Sequence, residues 1–129
     1  SAAPMGGFTA AADAWLPMDP AHLPLSIESQ EGDDGSALHF ARQVIAARRG
    51  SEALKTGACV QLSTPDNVLG FERVAEAERV RCFFELGGLE TRLEDPVLAH
   101  GEALFLGGGA ELEESGLALP ASGVAIIRL

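Results

Sequence analysis

Residues Ala37–Arg49 place apolar side chains at the spacing of an amphipathic helix. Ser36 supplies a hydroxyl for the N-cap, and the acidic pair Asp33-Asp34 precedes it, where negative charge favours a helix start. The sequence Arg48-Arg49-Gly50 is typical of a helix end. The pattern therefore predicts a helix over residues 37–49.

The apolar residues of this helix occupy two adjacent sides. One side comprises Leu38, Ala41 and Ile45, and the other comprises Phe40, Val44 and Ala47. A single small β domain covers only one of them, and leaving the other in water costs about 25 cal/mol per Å². We therefore expect the helix to have a second partner, from another chain or from another part of the same protein.

From Ala58 onward the pattern changes to short apolar or alternating runs separated by turn residues, which predicts β-strands. The predicted strands are Ala58–Ser63, Val68–Val74, Arg79–Leu86, Leu89–Leu93, Ala103–Leu106, Leu117–Leu119 and Gly123–Leu129. Short strands at this spacing favour a mainly β fold, an antiparallel β-sandwich. Alternation along the runs predicts the inward-facing side chains to be Val60, Leu62, Leu69, Phe71, Cys82, Phe84, Val124 and Ile126.

Residues 1–35 contain several prolines and glycines and show no sustained periodicity. This composition predicts an irregular loop. Because a long loop has no core of its own, we expect it to lie on a larger body.

The charge composition argues against two classes of binding partner. The formal net charge is −10 over 129 residues, so the surface repels phosphate backbones and anionic lipids, and we expect neither nucleic acid nor membrane as a partner. Cys59 and Cys82 each lie in a predicted strand. Two buried free thiols are the favoured interpretation, and a disulfide remains open if the two strands are neighbours.

Several segments resemble one family, the α-amylase superfamily (glycoside hydrolase family 13), and within it bacterial α-glucosidases and oligo-1,6-glucosidases. The segments are Gly7-Phe8-Thr9, Trp15-Leu16-Pro17, residues 36–42, Ile45, Arg48, Ala53-Leu54 with Gly57, and residues 68–73. The resemblance implies that residues 1–50 are the last loop and helix of a (β/α)8 barrel and that residues 51–129 are the C-terminal β-sandwich domain. Glu85 departs from the family, which usually has Asn there.

The resemblance implies a parent enzyme that hydrolyses α-glucosidic bonds of short oligosaccharides with retention, although transglycosylation or sucrose isomerisation by the same machinery stays open. Such catalysis needs two carboxyl groups about 5 Å apart. The family's catalytic carboxylates lie on earlier barrel strands, and no catalytic signature of the family occurs in these 129 residues. We therefore expect the chain alone to be a structural, non-catalytic fragment, with the remainder of the barrel or a second copy as its partner.

Other candidates for chemistry are weak. The acidic pairs Asp33-Asp34, Glu94-Asp95 and Glu113-Glu114 lie in predicted turns, where adjacent side chains point in different directions, so they are interpreted as solvated charge. His22, His39 and His100 are isolated from one another and from the cysteines, so we expect no metal and no cofactor.

The loop residues Phe8, Thr9 and Trp15 are the candidate site residues. An aromatic ring in this loop can stack on a sugar, and the equivalent loop of the family leaves the catalytic end of the barrel. The favoured interpretation is that Trp15, next to Pro17, fastens the loop to the body beneath it.

A second class of function stays open, namely a stand-alone β-sandwich module for interaction or carbohydrate binding. Residues 1–12 lack the features of a signal peptide. We expect a cytoplasmic protein of a bacterium.

Overall fold

The computed structural model describes residue 1, residues 3–11 and residues 13–129. The chain forms two compact units, residues 1–43 and residues 44–129. The first unit contains two 3-10 helices, Pro4–Gly7 and Pro20–Leu25, then α1 (Ile27–Glu31) and the start of α2 (Ala37–Arg49). The prediction of an irregular loop over residues 1–35 is therefore wrong for these helical turns. None of the described helices is long and apolar enough to cross a membrane.

The structure confirms α2 with the predicted bounds. Ser36 Oγ accepts a hydrogen bond from the His39 N–H at 3.4 Å, as an N-cap serine does. The preceding helical turn adds a second cap, because Gln30 Oε1 accepts from the Leu38 N–H at 3.0 Å. Two of the donors that a helix start leaves unpaired are therefore satisfied by side chains.

Besides the end of α2 and the 3-10 helix Leu98–His100, the second unit contains one short α-helix and the strands of two antiparallel sheets. These elements are α3 (Glu52–Thr56), β1 (Ala58–Gln61), β2 (Val68–Val74), β3 (Arg79–Glu85), β4 (Thr91–Glu94), β5 (Glu102–Gly107), β6 (Glu111–Glu113), β7 (Gly116–Leu119) and β8 (Val124–Arg128). The large sheet has the order β1-β2-β3-β8-β5, and the small sheet has the order β4-β7-β6. The predicted antiparallel β-sandwich is confirmed.

One face of the large sheet packs against the small sheet. Phe83 on β3 lies opposite Ala125 on β8, and both are buried in a cluster with Leu117 and Leu119 of β7. Leu98 belongs to the same cluster and is fully buried. This cluster is the core of the sandwich.

The other face of the large sheet packs against helices. Cys82 on β3 lies opposite Ile126 on β8 and packs in a second cluster with Ala53 of α3. Val44 and Ala47 of α2 pack against this cluster. Here β5 has a bulge at Leu104, which adds a residue to the strand and brings Leu104 and Phe105 into the same cluster.

The predicted inward-facing set is correct in burial for most of its members, but it assigned them to the core between the sheets, whereas five of them face the helices. Phe71, Cys82, Phe84, Val124 and Ile126 lie in the helix-facing cluster, and Leu62 packs against the sandwich core.

Val60 and Leu69 are exposed, so the prediction is wrong for these two. Val60 is on edge strand β1, whose four residues are all exposed. Leu69 lies near the start of β2, outside the cluster that α2 and α3 cover.

Besides the 3-10 helix Leu98–His100, two further elements were not predicted. The first is α3, which Ser51 caps by accepting from the Leu54 N–H at 3.1 Å. The second is β6, a three-residue edge strand that follows Gly107-Gly108-Gly109. Both are too short for a periodic pattern to reveal.

The two-sided burial predicts unequal losses of stability. Phe83→Ala should lower the free energy of unfolding by about 3–5 kcal/mol, because it opens a cavity in the sandwich core. Leu69→Ala, the matched change at an exposed strand position, should cost less than about 1 kcal/mol. Urea denaturation of both variants checks this prediction. Similar losses in the two variants would mean that the core has been assigned to the wrong face.

Candidate functional site

The three candidate residues Phe8, Thr9 and Trp15 line one hollow in the first unit. Its volume is about 470 Å³, and the remaining lining residues are Met5, Ala14, Leu16, Pro17 and Met18. No lining residue carries an ionisable side chain. The hollow can therefore hold an apolar or stacking surface, but it contains no acid or base.

Local backbone constraints shape this hollow. Gly6 and Gly7 have φ values of 62° and 76°, a conformation that favours glycine. A Cβ atom at Gly6 would stand 3.2 Å from the Met18 sulfur and from the Phe8 ring, so the loop also needs the small residue there. Thr9 Oγ1 accepts from the Ala11 N–H at 3.1 Å and closes a short turn.

The rings of the hollow are almost completely exposed, Phe8 by 91% and Trp15 by 96%. This exposure is that of the 129 residues by themselves, so the interpretation that Trp15 fastens the loop to a body beneath it stays a prediction. Two exposed rings on one loop are a surface that another molecule or another part of a larger protein can cover.

The acidic pairs are structural or solvated. Asp95 pairs with Arg81, and Glu113 pairs with Arg92 with an oxygen–nitrogen distance of 2.6 Å. Asp33 Oδ1 accepts from the Gly35 N–H at 3.0 Å, within a turn. These contacts use the carboxylates for local structure.

Glu85 is the most highly bonded carboxylate of the second unit, and the sequence pattern did not reveal it. The residue is only 3% exposed, and its two oxygens accept hydrogen bonds at 2.7–3.2 Å. The donors are the N–H groups of Gly87, Gly88, Leu89 and Ser122 and the side-chain amide of Asn67. Glu85 thereby holds two turns together.

These bonds favour the ionised form of Glu85. The N–H of Ser122 is the leading cause, and together with the Leu89, Asn67 and Gly87 bonds it lowers the pKa of the carboxyl to about 2. An acid with so low a pKa cannot donate a proton near neutral pH. A glutamate two residues before Gly87-Gly88 is the sequence signal, because glycine turns present several N–H groups close together.

Glu78 joins α3 to the last strand. Glu78 Oε2 accepts from the Ser51 hydroxyl at 2.9 Å and from the Ala53 N–H at 2.8 Å, and Oε1 accepts from Arg128 Nε at 2.7 Å. The Ala53 bond is the main reason why the pKa of Glu78 is lowered. Arg128 also pairs with Glu102 of β5 at 2.6 Å. These contacts fix the first turn of α3 against the large sheet.

A third carboxylate, Glu72, is 6% exposed and pairs with Arg79 and Arg81 of the neighbouring strand. Arg81 also pairs with Asp95, which follows β4 of the small sheet. The network therefore joins the two sheets at one end of the sandwich.

The cysteines do not form a redox pair in the structure. Both are free, Cys59 is exposed on β1, and Cys82 is buried on β3, two strands away. The expectation of two buried thiols is thus wrong for Cys59, because β1 is an uncovered edge strand. Burial raises the pKa of Cys82 to about 12, so its thiol stays protonated and unreactive.

Within the described residues, no group of three or more His, Cys, Asp or Glu side chains is arranged to hold a metal ion. His39 Nε2 lies 3.2 Å from the carbonyl oxygen of Glu31 and is part of the first unit's local structure.

An apolar groove opens in the second unit between α2, α3 and the large sheet. Its volume is about 210 Å³. We call it the arginine-rimmed groove, and its lining consists of Val44, Arg48, Leu54, Phe71, Arg73, Cys82, Phe84 and Ile126. The rings of Phe71 and Phe84 stack in its floor with centroids 6.0 Å apart.

Comparisons with known proteins agree with the resemblance seen in the sequence. The chain is 33% identical, over 132 aligned residues, to a probable α-glucosidase of Rhizobium meliloti strain 1021. The alignment covers 98% of this chain but 23% of that protein. No protein-family model matches the chain.

Solved structures show the same fold. The trehalulose synthase from Pseudomonas mesoacidophila MX-45 superposes with a TM-score of 0.76 at 21% identity, covering 88% of this chain and 21% of that enzyme. The isomaltulose synthase from a Klebsiella species superposes with a TM-score of 0.73 at 22% identity, over 88% of this chain and 21% of that one. The chain therefore spans less than a quarter of the length of the proteins that it matches.

The bonds of Glu85 predict a dependence of stability on pH. Its folded-state pKa of about 2 lies below the ordinary value of 4.5, so its stabilisation is complete above pH 4.5 and is lost as the pH falls from 4.5 toward 2. Glu85→Gln should lower the urea midpoint at pH 7 and should reduce the further fall of that midpoint between pH 5 and pH 3. Denaturation at several pH values checks this.

The control is Glu76→Gln, which removes an exposed carboxylate. It should leave both the midpoint and its pH dependence nearly unchanged. A Glu85→Gln variant with the wild-type pH profile would contradict the assigned role of the Glu85 carboxylate.

Proposed function

Since the chain corresponds to the C-terminal portion of glycoside hydrolases of the α-amylase family, we propose that it is the structural, non-catalytic part of a retaining α-glucosidase-like enzyme. In this proposal residues 1–50 are the last loop and helix of the barrel, and residues 51–129 are the C-terminal β-sandwich domain. The parent enzyme acts on α-glucosidic bonds of short oligosaccharides. The match to a probable α-glucosidase over almost the whole chain is the observation that carries the proposal.

The charged groups support a structural role. A retaining glycosidase needs one carboxyl group that stays protonated and a second that attacks, about 5 Å apart. Glu85 and Glu78 have lowered pKa values, so neither carboxylate is suited to protonate a leaving group, and Glu72 is held in ion pairs with two arginines. The hollow near Trp15 contains no ionisable side chain.

In our proposal, the second partner expected for α2 contacts the side of the helix that carries Ile45. Val44 packs on the large sheet of its own unit, whereas Ile45 remains 50% exposed. Ile45 belongs to the side that the remainder of the barrel covers in our proposal. A second copy of the chain is the alternative cover when the barrel is absent.

The loop residues Phe8, Thr9 and Trp15 are proposed as a substrate-side surface of the parent enzyme. Their exposed rings, and the lack of an ionisable side chain among the described residues that line the hollow, fit stacking on a sugar rather than chemistry on it. The two free cysteines fit a reducing compartment, so we propose a cytoplasmic location.

A stand-alone carbohydrate-binding or interaction module is the second candidate, and the exposed Phe8 and Trp15 rings are the observation that favours it. Trp15 is the only tryptophan of the chain, so its fluorescence reports directly on this loop. A saturable change with maltose or isomaltose that Phe8→Ala abolishes would favour the module. Our proposal expects no saturable change in the isolated chain.

Activity assays give the first test. The purified chain should release no glucose from maltose, isomaltose or an aryl α-glucoside above the blank, because the carboxylates that supply a rate enhancement of about 10⁶-fold or more are absent. Turnover that follows the 129-residue species through two chromatography steps would contradict the proposal.

Association gives the second test. The isolated chain should form a dimer or larger species by light scattering, because the apolar side chain of Ile45 is half exposed in the described part of the chain. Ile45→Glu should shift it toward the mass of 13.4 kDa. The control is Arg49→Glu, which introduces the same glutamate near the same end of the helix. It should leave the mass of the associated species unchanged. A wild-type monomer at high concentration would mean that Ile45 does not form a contact surface.

A further inference from the structure

The arginine-rimmed groove combines an apolar floor with two arginines, Arg48 and Arg73. Neither has an acidic partner in the described part of the chain. Arg79, Arg81, Arg92 and Arg128 all pair with carboxylates of the second unit. Arg73 donates only to a backbone oxygen, that of Ala53 at 3.2 Å.

Unpaired arginines are unexpected on a chain with a net charge of −10, where carboxylates outnumber cationic side chains 19 to 9. They leave a local positive rim beside Val44, Leu54 and the stacked phenylalanines. Such a rim favours an incoming carboxylate and disfavours a cation.

The size of the groove limits what can enter it. Its volume of about 210 Å³ lies below the roughly 300–1,000 Å³ of sites for small organic ligands. It is adequate for an apolar side chain or two. The shape and charge together fit a protein segment that inserts an apolar side chain and places an Asp or Glu beside it.

Resting on the proposed function, we infer that this groove is the docking site for a segment of the same parent polypeptide that lies outside residues 1–129. The segment carries an apolar side chain that enters the groove and an adjacent carboxylate that pairs with Arg48 and Arg73. Two observations select this occupant: the complementary charge of the rim, and the fact that the chain spans only 23% of the length of the α-glucosidase that it matches.

Arg48 and its neighbour Arg49 provide a matched test. Both are exposed at the end of α2, but only Arg48 lines the groove. In the complete parent polypeptide, Arg48→Glu should speed limited proteolysis about tenfold, which corresponds to about 1.4 kcal/mol of lost docking free energy. Arg49→Glu should stay within about twofold of wild type. High salt should reduce the difference between wild type and Arg48→Glu.

The outcomes separate this inference from the proposed function. If no longer polypeptide carries this chain, both fail. If the parent polypeptide exists and hydrolyses α-glucosides but Arg48→Glu and Arg49→Glu behave alike, only the groove assignment is overturned. If the isolated chain dimerises and Arg48→Glu abolishes the dimer while Arg49→Glu does not, the occupant is a second copy, which also overturns the inference.

Discussion

The large sheet is apolar on both faces, and the rest of the second unit follows from the need to cover both. Exposing either face would leave side chains such as Phe83 or Ile126 in water, at about 1.5–3 kcal/mol for each large side chain. The small sheet covers one face, and α2 and α3 cover the other. The helix end is thus an integral part of the β domain's core. This explains why Val44 and Ala47 sit in that core while Ile45 on the same helix is left half exposed.

Carboxylate side chains fix the helices, strands and turns around the large sheet. Glu78 fixes the start of α3 through Ser51 and Ala53 and ties it to Arg128 on β8. Glu72 joins strands of the large sheet, and Glu85 ties two turns at the ends of strands. A buried carboxylate is costly unless it is fully hydrogen-bonded, and these hydrogen bonds and ion pairs give all three residues a structural role. The acidic composition of the chain therefore does not signal catalysis.

Much of this fold could be predicted from sequence, because long periodic segments give strong signals. The bounds of α2 and of β2 agree with the prediction. Alternation along β3 identified Cys82 and Phe84 as inward-facing, but it did not show that the intervening Phe83 is also buried. Where a strand is covered on both faces, neither face is exposed to solvent, so both sets of alternating side chains are apolar and the pattern cannot tell one face from the other.

The candidate site was less predictable. The sequence grouped Phe8, Thr9 and Trp15 as candidate residues, and the structure places all three along one hollow, since they lie close along the chain. It could not reveal that Glu85 receives five hydrogen bonds, because Asn67 and Ser122 reach it only through the fold. The groove likewise depends on residues from α2, α3 and three strands, whose proximity no local pattern contains.

Our central proposal is that this chain is a structural part of a larger glycoside hydrolase. The most direct test is the mass of the native polypeptide, measured by mass spectrometry after capture from source cells with an antibody against residues 58–129. The account predicts one polypeptide several times heavier than 13.4 kDa, because the chain matches 23% of its α-glucosidase relative. A native species of 13.4 kDa that purifies as a stable monomer, with no larger polypeptide attached, would contradict it.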